Sequence, residues 1–267
     1  MTTLYTPTDT LLEAPTLRCE LDADGIALLT INRPERRNAI DTPTMHALAA
    51  LLPRLAEDAR LRALIVTGAG TEAFCSGGDL NDFSERLTAE LGAAMVALMG
   101  DTLLSLERLP IPVIAAINGF ALGGGSELAL ACDLRVIDER AQLGFVHLRR
   151  GLIPGWGGGQ RLLRAVGYAR ALELLLRAEP LDVTALVELG LVVNVTPPGE
   201  ALAGALTIAR TAARHDRAAV AAAKAMLQAG LRQPYDDAIM TERGLFPPLW
   251  VGEAHMAAMR AFIDKRR

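Results

Sequence analysis

An α/β fold is predicted by three features of this chain. Short apolar runs alternate with segments of helical spacing, two of those runs end in glycine-rich turns, and near residue 196 the pattern becomes almost wholly helical. Residues 17–21 and 26–32 flank the turn sequence DADG and read as a hairpin. Residues 42–61 read as a helix with Pro43 in its first turn, where the missing N–H has no helical partner to lose. A strand over 63–67 (ALIVT) follows, then a helix over 82–109. Its Leu91, Met95, Leu98, Leu103 and Leu106 fall near one face, and it stops before Pro110 and Pro112. Residues 112–118 (PVIAAIN) are an apolar strand and 126–132 a helix, with two more strands at 134–137 and 143–146. From Gly157 onward the pattern is helical apart from a short strand at 191–195 (LVVNV). This order predicts an α/β core with right-handed crossovers over residues 16–196, a loose arm over 1–15 and a helical region over 197–267.

Composition narrows the function classes. With 51% hydrophobic residues in 267, the chain can bury a sizeable core. A formal net charge of −4, without a basic stripe, argues against a nucleic-acid partner, and so does an aromatic content of only 4%. Cys19, Cys75 and Cys132 are odd in number and lack CxxC spacing, so neither a disulfide framework nor a zinc site is expected, and no metal ligands are assigned. Residues 1–15 lack a basic start and an apolar core, and no run reaches eighteen apolar residues, so no signal peptide or membrane partner is expected and a cytoplasmic location is.

The chemistry concentrates in residues 119–133 (GFALGGGSELALACD), where a strand turns into a helix through Gly123, Gly124 and Gly125 and a carboxylate, Glu127, follows. The first N–H groups of a helix have no backbone partner, glycine lets another molecule approach closely, and the dipole favours negative charge. One such donor is half of an oxyanion hole. Residues 73–80 (AFCSGGDL) repeat the logic at Gly77 and Gly78 after the 63–67 strand. Paired backbone donors on a carbonyl oxygen lower an acyl-transfer or enolisation barrier by roughly 3–4 kcal/mol each. Taken singly, each loop also reads as ordinary strand-to-helix packing, and Glu127 as a dipole-complementing first-turn residue; their joint occurrence favours a site. Residues 155–160 (GWGGGQ) do not make a dinucleotide fingerprint, because Gln160 stands where the third glycine belongs, and neither Ser76 nor Ser126 lies in G-x-S-x-G.

Residues 29–41 (LTINRPERRNAID), FCSGGDL, NGFALGGGSELALACDLR and 151–162 (GLIPGWGGGQRL) together resemble the crotonase, or enoyl-CoA hydratase/isomerase, superfamily, from about Thr16 to Arg267. The resemblance implies a spiral of ββα turns followed by a helical trimerisation region. It also implies an acyl-CoA thioester as substrate, whose oxygen is bound by the N–H groups of Gly78 and Gly124. Coenzyme A enters as part of the substrate, with no separate cofactor. The same match places coenzyme A contacts at Arg36, at Ser76 and Asp79 of the S-G-x-D-L loop, and at Phe262 and Lys265 of a neighbouring subunit in a homotrimer or dimer of trimers. The bland reading of Lys265 is a solvated basic helix end.

Hydratases of this family resemble one another in carrying a second glutamate four residues before the glycine that leads into LIPG; here that position is His147. His46, His215 and His255 read as surface or packing residues, whereas His147 stands in register with a residue facing Cα. FVH followed by the WGG run is similar to ethylmalonyl-CoA decarboxylases. Three readings follow: a decarboxylase of methylmalonyl- or ethylmalonyl-type CoA using Gly78, Gly124, Glu127 and His147; a hydratase or isomerase of unsaturated acyl-CoA; and a non-catalytic acyl-CoA binding protein. An ionised Glu127 would repel a substrate carboxylate, so the first reading requires it protonated or turned away.

Overall fold

The computed structural model describes residues 4–84 and 87–265. The chain begins with β1 (Pro7–Ala14), β2 (Leu17–Asp22) and β3 (Ile26–Ile31), followed by α1 (Thr42–Glu57). A strand pair and helices then recur. β4 (Ala63–Gly68) and β5 (Ala73–Cys75) precede α2 (Leu80–Phe83) and α3 (Ala89–Glu107); β6 (Val113–Ile117) and β7 (Phe120–Leu122) precede α4 (Gly124–Ala131); β8 (Leu134–Asp138) and β9 (Leu143–Gly144) precede α5 (Gly158–Val166). The chain continues through α6 (Tyr168–Arg177), β10 (Pro180–Leu181), α7 (Val183–Glu188) and β11 (Asn194–Thr196) to α8 (Ala201–Ala213), α9 (Arg217–Arg232), α10 (Tyr235–Trp250) and α11 (Glu253–Asp264).

The first strand of each pair joins a seven-stranded sheet ordered β1-β2-β3-β4-β6-β8-β11, antiparallel through β3 and parallel beyond it. The second joins a four-stranded sheet ordered β10-β9-β7-β5, so each ββα turn adds one strand to each sheet. Alternation fixes what covers the large sheet. Leu64, Val66, Val113, Ala115 and Ile117 face the cluster shared with α1, α3, α4 and the small sheet, whereas Ala63, Ile65, Ile114, Ala116 and Val136 face Ala201, Ala205, Leu206 and Ala209 of α8. Both faces are covered, which is why these strands read as continuous apolar runs.

Several expectations are corrected. Most of the arm over 1–15 is not loose: β1 pairs along β2, with Arg54 Nη2 donating to the Leu11 carbonyl. As a mostly exposed edge strand it carries little apolar signal. The helix expected over 82–109 is two helices, α2 capped by Asp79 and α3 capped by Thr88. The strand expected over 143–146 ends at Gly144, and Val146–Arg150 form a 3-10 turn. The last strand lies at Asn194–Thr196. α8, placed by sequence with the C-terminal helical region, packs on the large sheet, and only beyond it does the chain leave the core. There α10 and α11 bury no residue within this chain. By length and composition α3 is also apolar enough to cross a membrane (mean hydropathy 1.4), although the sequence pointed to no span; its Met99, Leu103 and Leu106 are packed in the core.

Candidate functional site

Pairing in the small sheet sets the two glycine turns side by side. β5 lies parallel to β7, and glycine is required where their loops meet: a Cβ on Gly77, whose φ is +99°, would stand 2.9 Å from the Gly124 nitrogen, and one on Gly125 would run into the Cys75 carbonyl. Past β5 the chain makes a single parallel bridge to Ile40, whose N–H donates to Gly77 O (2.8 Å) and whose carbonyl accepts from Asp79 N–H (2.9 Å). Extended backbone alternates its polar groups, so the Gly78 N–H points away from Ile40. Among the described residues neither Gly78 N–H nor Gly124 N–H has an acceptor. Gly123 N–H, by contrast, donates to Gly144 O at 3.0 Å.

Glu127 lies on the first turn of α4 and is 1% exposed. Its Oε1 accepts from Gly155 N–H (3.2 Å) and faces His147 Nε2 (3.1 Å); its Oε2 accepts from Trp156 N–H (2.7 Å) and Gly158 N–H (2.8 Å). A carboxylate offers about four lone-pair sites, and all four are occupied. The three N–H groups belong to the loop that starts α5, so this carboxylate sits in a nest of backbone dipoles at a second helix N-terminus. His147 rides on the 3-10 turn Val146–Arg150 with its side chain only 10% exposed. Its Nε2 also stands 4.0 Å from the point a Cβ on Gly123 would occupy, which puts the ring beside the α4 start. With Nε2 on Glu127, the buried Nδ1 has no partner. A buried polar atom left unpaired costs about 1–3 kcal/mol, so Nδ1 is set to meet a group that comes with a ligand.

Trp156 completes this compartment. It is 4% exposed, its Nε1–H donates to Met95 Sδ (3.1 Å), and its six-membered ring lies so close on Gly124 that any Cβ there would collide with it. Cys75 also borders the site, but burial pushes its thiol up to about 12, which removes it as a nucleophile.

The structure thus brings Gly78, Gly124, Glu127 and His147 together. The residues assigned to coenzyme A are placed less uniformly. Asp79 is corrected: it is buried, with Oδ1 capping α2 at Asn81 N–H (3.0 Å) and Oδ2 paired with Arg33 Nη1 (2.9 Å), so its carboxylate is engaged within the chain. Ser76 is half-buried, its N–H donating to Arg37 O. Arg36 is exposed on the 3-10 turn Pro34–Arg36. Phe262 and Lys265 are exposed at the end of α11, which packs on α10. Sequence reasoning missed Gly155, Trp156 and Gly158 as partners of Glu127, although a third glycine-rich helix start in GWGGG was the signal available.

Two unpartnered backbone donors beside a buried carboxylate–imidazole pair define an enzyme site suited to holding negative charge on a carbonyl oxygen. The enoyl-CoA hydratase/isomerase family model matches residues 22–267. Over 248 residues the chain is 36% identical to a short-chain-enoyl-CoA hydratase of Clostridium acetobutylicum, covering 92% of this chain and 95% of that one. Over 240 residues it is 38% identical to an ethylmalonyl-CoA decarboxylase of Xenopus laevis, covering 88% and 79%. A crystal structure of an enoyl-CoA hydratase from Bacillus anthracis superposes with a TM-score of 0.89 at 33% identity, covering 94% of this chain and 96% of that one. The chain belongs to the enoyl-CoA hydratase/isomerase family, within the crotonase superfamily. It is a lyase of the hydratase or decarboxylase kind.

Proposed function

We propose that this enzyme removes CO2 from a malonyl-type acyl-CoA, with a methylmalonyl or ethylmalonyl group on the thioester. The observation that carries the reading is the His147–Glu127 pair. Hydration by two glutamates requires carboxylate oxygens free to hold a water. Here the one glutamate has every lone-pair position filled, and the second position is an imidazole with a bare, buried Nδ1. Decarboxylation asks for something different. The Cα–carboxylate bond breaks, its electron pair moves to Cα, and the resulting enolate places its negative oxygen between the N–H groups of Gly78 and Gly124. A proton then returns to Cα. As imidazolium, His147 suits both ends of that step: Nδ1–H donates to the substrate carboxylate before CO2 leaves and then passes its proton to Cα, and the ring regains a proton from solvent. Glu127 is turned into the 155–158 loop, where three N–H dipoles and His147 offset its charge, and its repulsion of a second carboxylate is correspondingly reduced.

Hydration or isomerisation of an unsaturated acyl-CoA is the second reading. It is favoured by the retained Glu127 and by the name of the Clostridium acetobutylicum relative. The two are separated by incubating the protein with methylmalonyl-, ethylmalonyl- and crotonyl-CoA and following mass. Loss of CO2 from either malonyl-type substrate is expected; rapid hydration of crotonyl-CoA with both others untouched overturns the proposal. The reaction as written needs no group beyond the substrate's own coenzyme A. A homotrimer or dimer of trimers is part of this reading. It is supported by the unburied α10 and α11, which expose Phe246, Trp250, Met256, Met259, Phe262 and Ile263, and it brings Phe262 and Lys265 onto a neighbour's coenzyme A.

A further inference from the structure

The Trp156 indole is packed against Gly124, the donor assigned above to the thioester oxygen. A thioester oxygen on Gly124 N–H brings the first acyl carbons alongside Gly124 and near the Glu127–His147 pair. What stands against Gly124 is the six-membered ring of Trp156, packed onto it so tightly that no Cβ fits between them. Residue 156 is held at three points, two on its backbone and one on its ring. Its own backbone N–H is bound to Glu127 Oε2 (2.7 Å), its carbonyl accepts from Arg161 Nη1 (2.9 Å), and its Nε1–H donates to Met95 Sδ on α3 (3.1 Å). With its single polar side-chain atom satisfied and 4% of its surface exposed, the indole gains nothing by swinging out. The loop beneath it is equally close-packed, since a Cβ on Gly155 would stand 3.0 Å from Val96 of α3.

We infer that Trp156, braced by Met95, is the wall that ends the acyl compartment and restricts this enzyme to short acyl groups. The inference rests on the acyl-CoA reading above but is indifferent to whether the reaction is decarboxylation or hydration. A compartment bounded at Gly124 favours short acyl groups, because a rigid aromatic wall rejects added methylenes that an open channel would bury.

Saturated acyl-CoAs test this without turnover. Dissociation constants for acetyl-, butyryl-, hexanoyl-, octanoyl- and decanoyl-CoA are measured by calorimetry on the wild type, Trp156→Phe and Trp156→Ala, with near-UV circular dichroism to check packing. In an open apolar channel each buried methylene strengthens binding about fourfold. In the wild type the gain is expected to stop near butyryl- or hexanoyl-CoA, with decanoyl-CoA at least about tenfold weaker than butyryl-CoA. Trp156→Ala is expected to raise decanoyl-CoA affinity relative to butyryl-CoA at least about tenfold over the same ratio in the wild type, and Trp156→Phe to fall between. Affinity that rises steadily to ten carbons in the wild type overturns the wall, whatever the variants do, and leaves the acyl-CoA reading standing. An unchanged length profile in the folded Phe variant together with the Ala variant also overturns it. If neither free coenzyme A nor any of the five thioesters binds the wild type, the acyl-CoA reading falls and takes this inference with it.

Discussion

Helices α4 and α5 both begin in a run of glycines, and they use their first N–H groups in opposite ways. At α4 the Gly124 N–H is left without an acceptor among the described residues. At α5 the N–H of Gly158, with those of Gly155 and Trp156 just before it, is already bound to a carboxylate, and that carboxylate comes from α4. The two starts share one physical property, a cluster of unpaired donors at the positive end of a helix. What separates a binding site from an internal anchor is whether the chain's own acceptor reaches it. Glu127 is that acceptor, and by filling the α5 nest it also holds the Trp156 ring against α4. Of the four predictions below, the first acts on the imidazole paired with Glu127, the second on the α4 start, the third on the carboxylate that joins the two starts, and the last on the bridge that aims the Gly78 donor.

The largest effect is expected at His147, which touches Glu127 and stands beside the α4 start. His147→Ala should lower decarboxylation by about 10²–10⁴-fold while changing acyl-CoA affinity by less than about threefold, because the donors that hold the thioester oxygen are untouched. His147→Glu places a second carboxylate beside Glu127. It should gain measurable hydration of crotonyl-CoA and lose decarboxylation through like-charge repulsion. Steady-state kinetics with both substrates read out the pair, and wild-type decarboxylation in His147→Ala refutes the role.

Next in size is the α4 donor itself. Any side chain at 124 meets the Trp156 ring, so Gly124→Pro has to be read against Gly124→Ala, which shares the collision but keeps the N–H. The proline variant should lose about 10²–10³-fold in kcat beyond the alanine variant, the cost of one oxyanion donor. Equal kcat in the two refutes the hole. The matching change at α5 is Glu127→Gln, which turns an amide NH2 toward N–H groups that need acceptors. Unfolding in urea should show a loss of about 2–3 kcal/mol, since at least one buried donor pair is left facing a donor. A variant as stable as the wild type would mean the nest holds no charge.

How much of this was legible in the sequence follows from how local each feature is. The α4 start was readable because strand, glycines and helix are contiguous, and the apolar runs of β4 and β6 because both their faces are buried. Most of the small sheet escaped notice: β9 was anticipated as a longer strand, but β5, β7 and β10 are two or three residues long, too short for any period to register. The α5 nest escaped for another reason. Trp156 and Glu127 lie 29 residues apart, and their meeting depends on how α4 packs on α5, which no local pattern encodes. Asp79 was misassigned in the same way, because a carboxylate in a glycine loop looks available until its ion-pair partner, 46 residues earlier, is located.

That partner gives the smallest prediction. Arg33 reaches across the Ile40–Gly78 bridge and holds the residue after each strand position, Asp41 Oδ2 with Nη2 (3.0 Å) and Asp79 Oδ2 with Nη1 (2.9 Å). Each carboxylate uses its other oxygen to cap a helix, α1 at Thr44 N–H and α2 at Asn81 N–H. The guanidinium therefore ties two helix starts together across the backbone that aims the Gly78 N–H. Lysine has one nitrogen where the fork has two and cannot hold both oxygens in plane. Arg33→Lys should leave acyl-CoA affinity within about twofold, but lower kcat about tenfold, about 1.4 kcal/mol of transition-state stabilisation, as the Gly78 donor loosens. The effect should vanish in a background where the Gly78 donor no longer matters. Scored on a Gly78→Pro protein, where that N–H is itself absent, Arg33→Lys is expected to cost less than about threefold. A full tenfold loss there would show that Arg33 acts on the fold at large and not through the α4-facing donor.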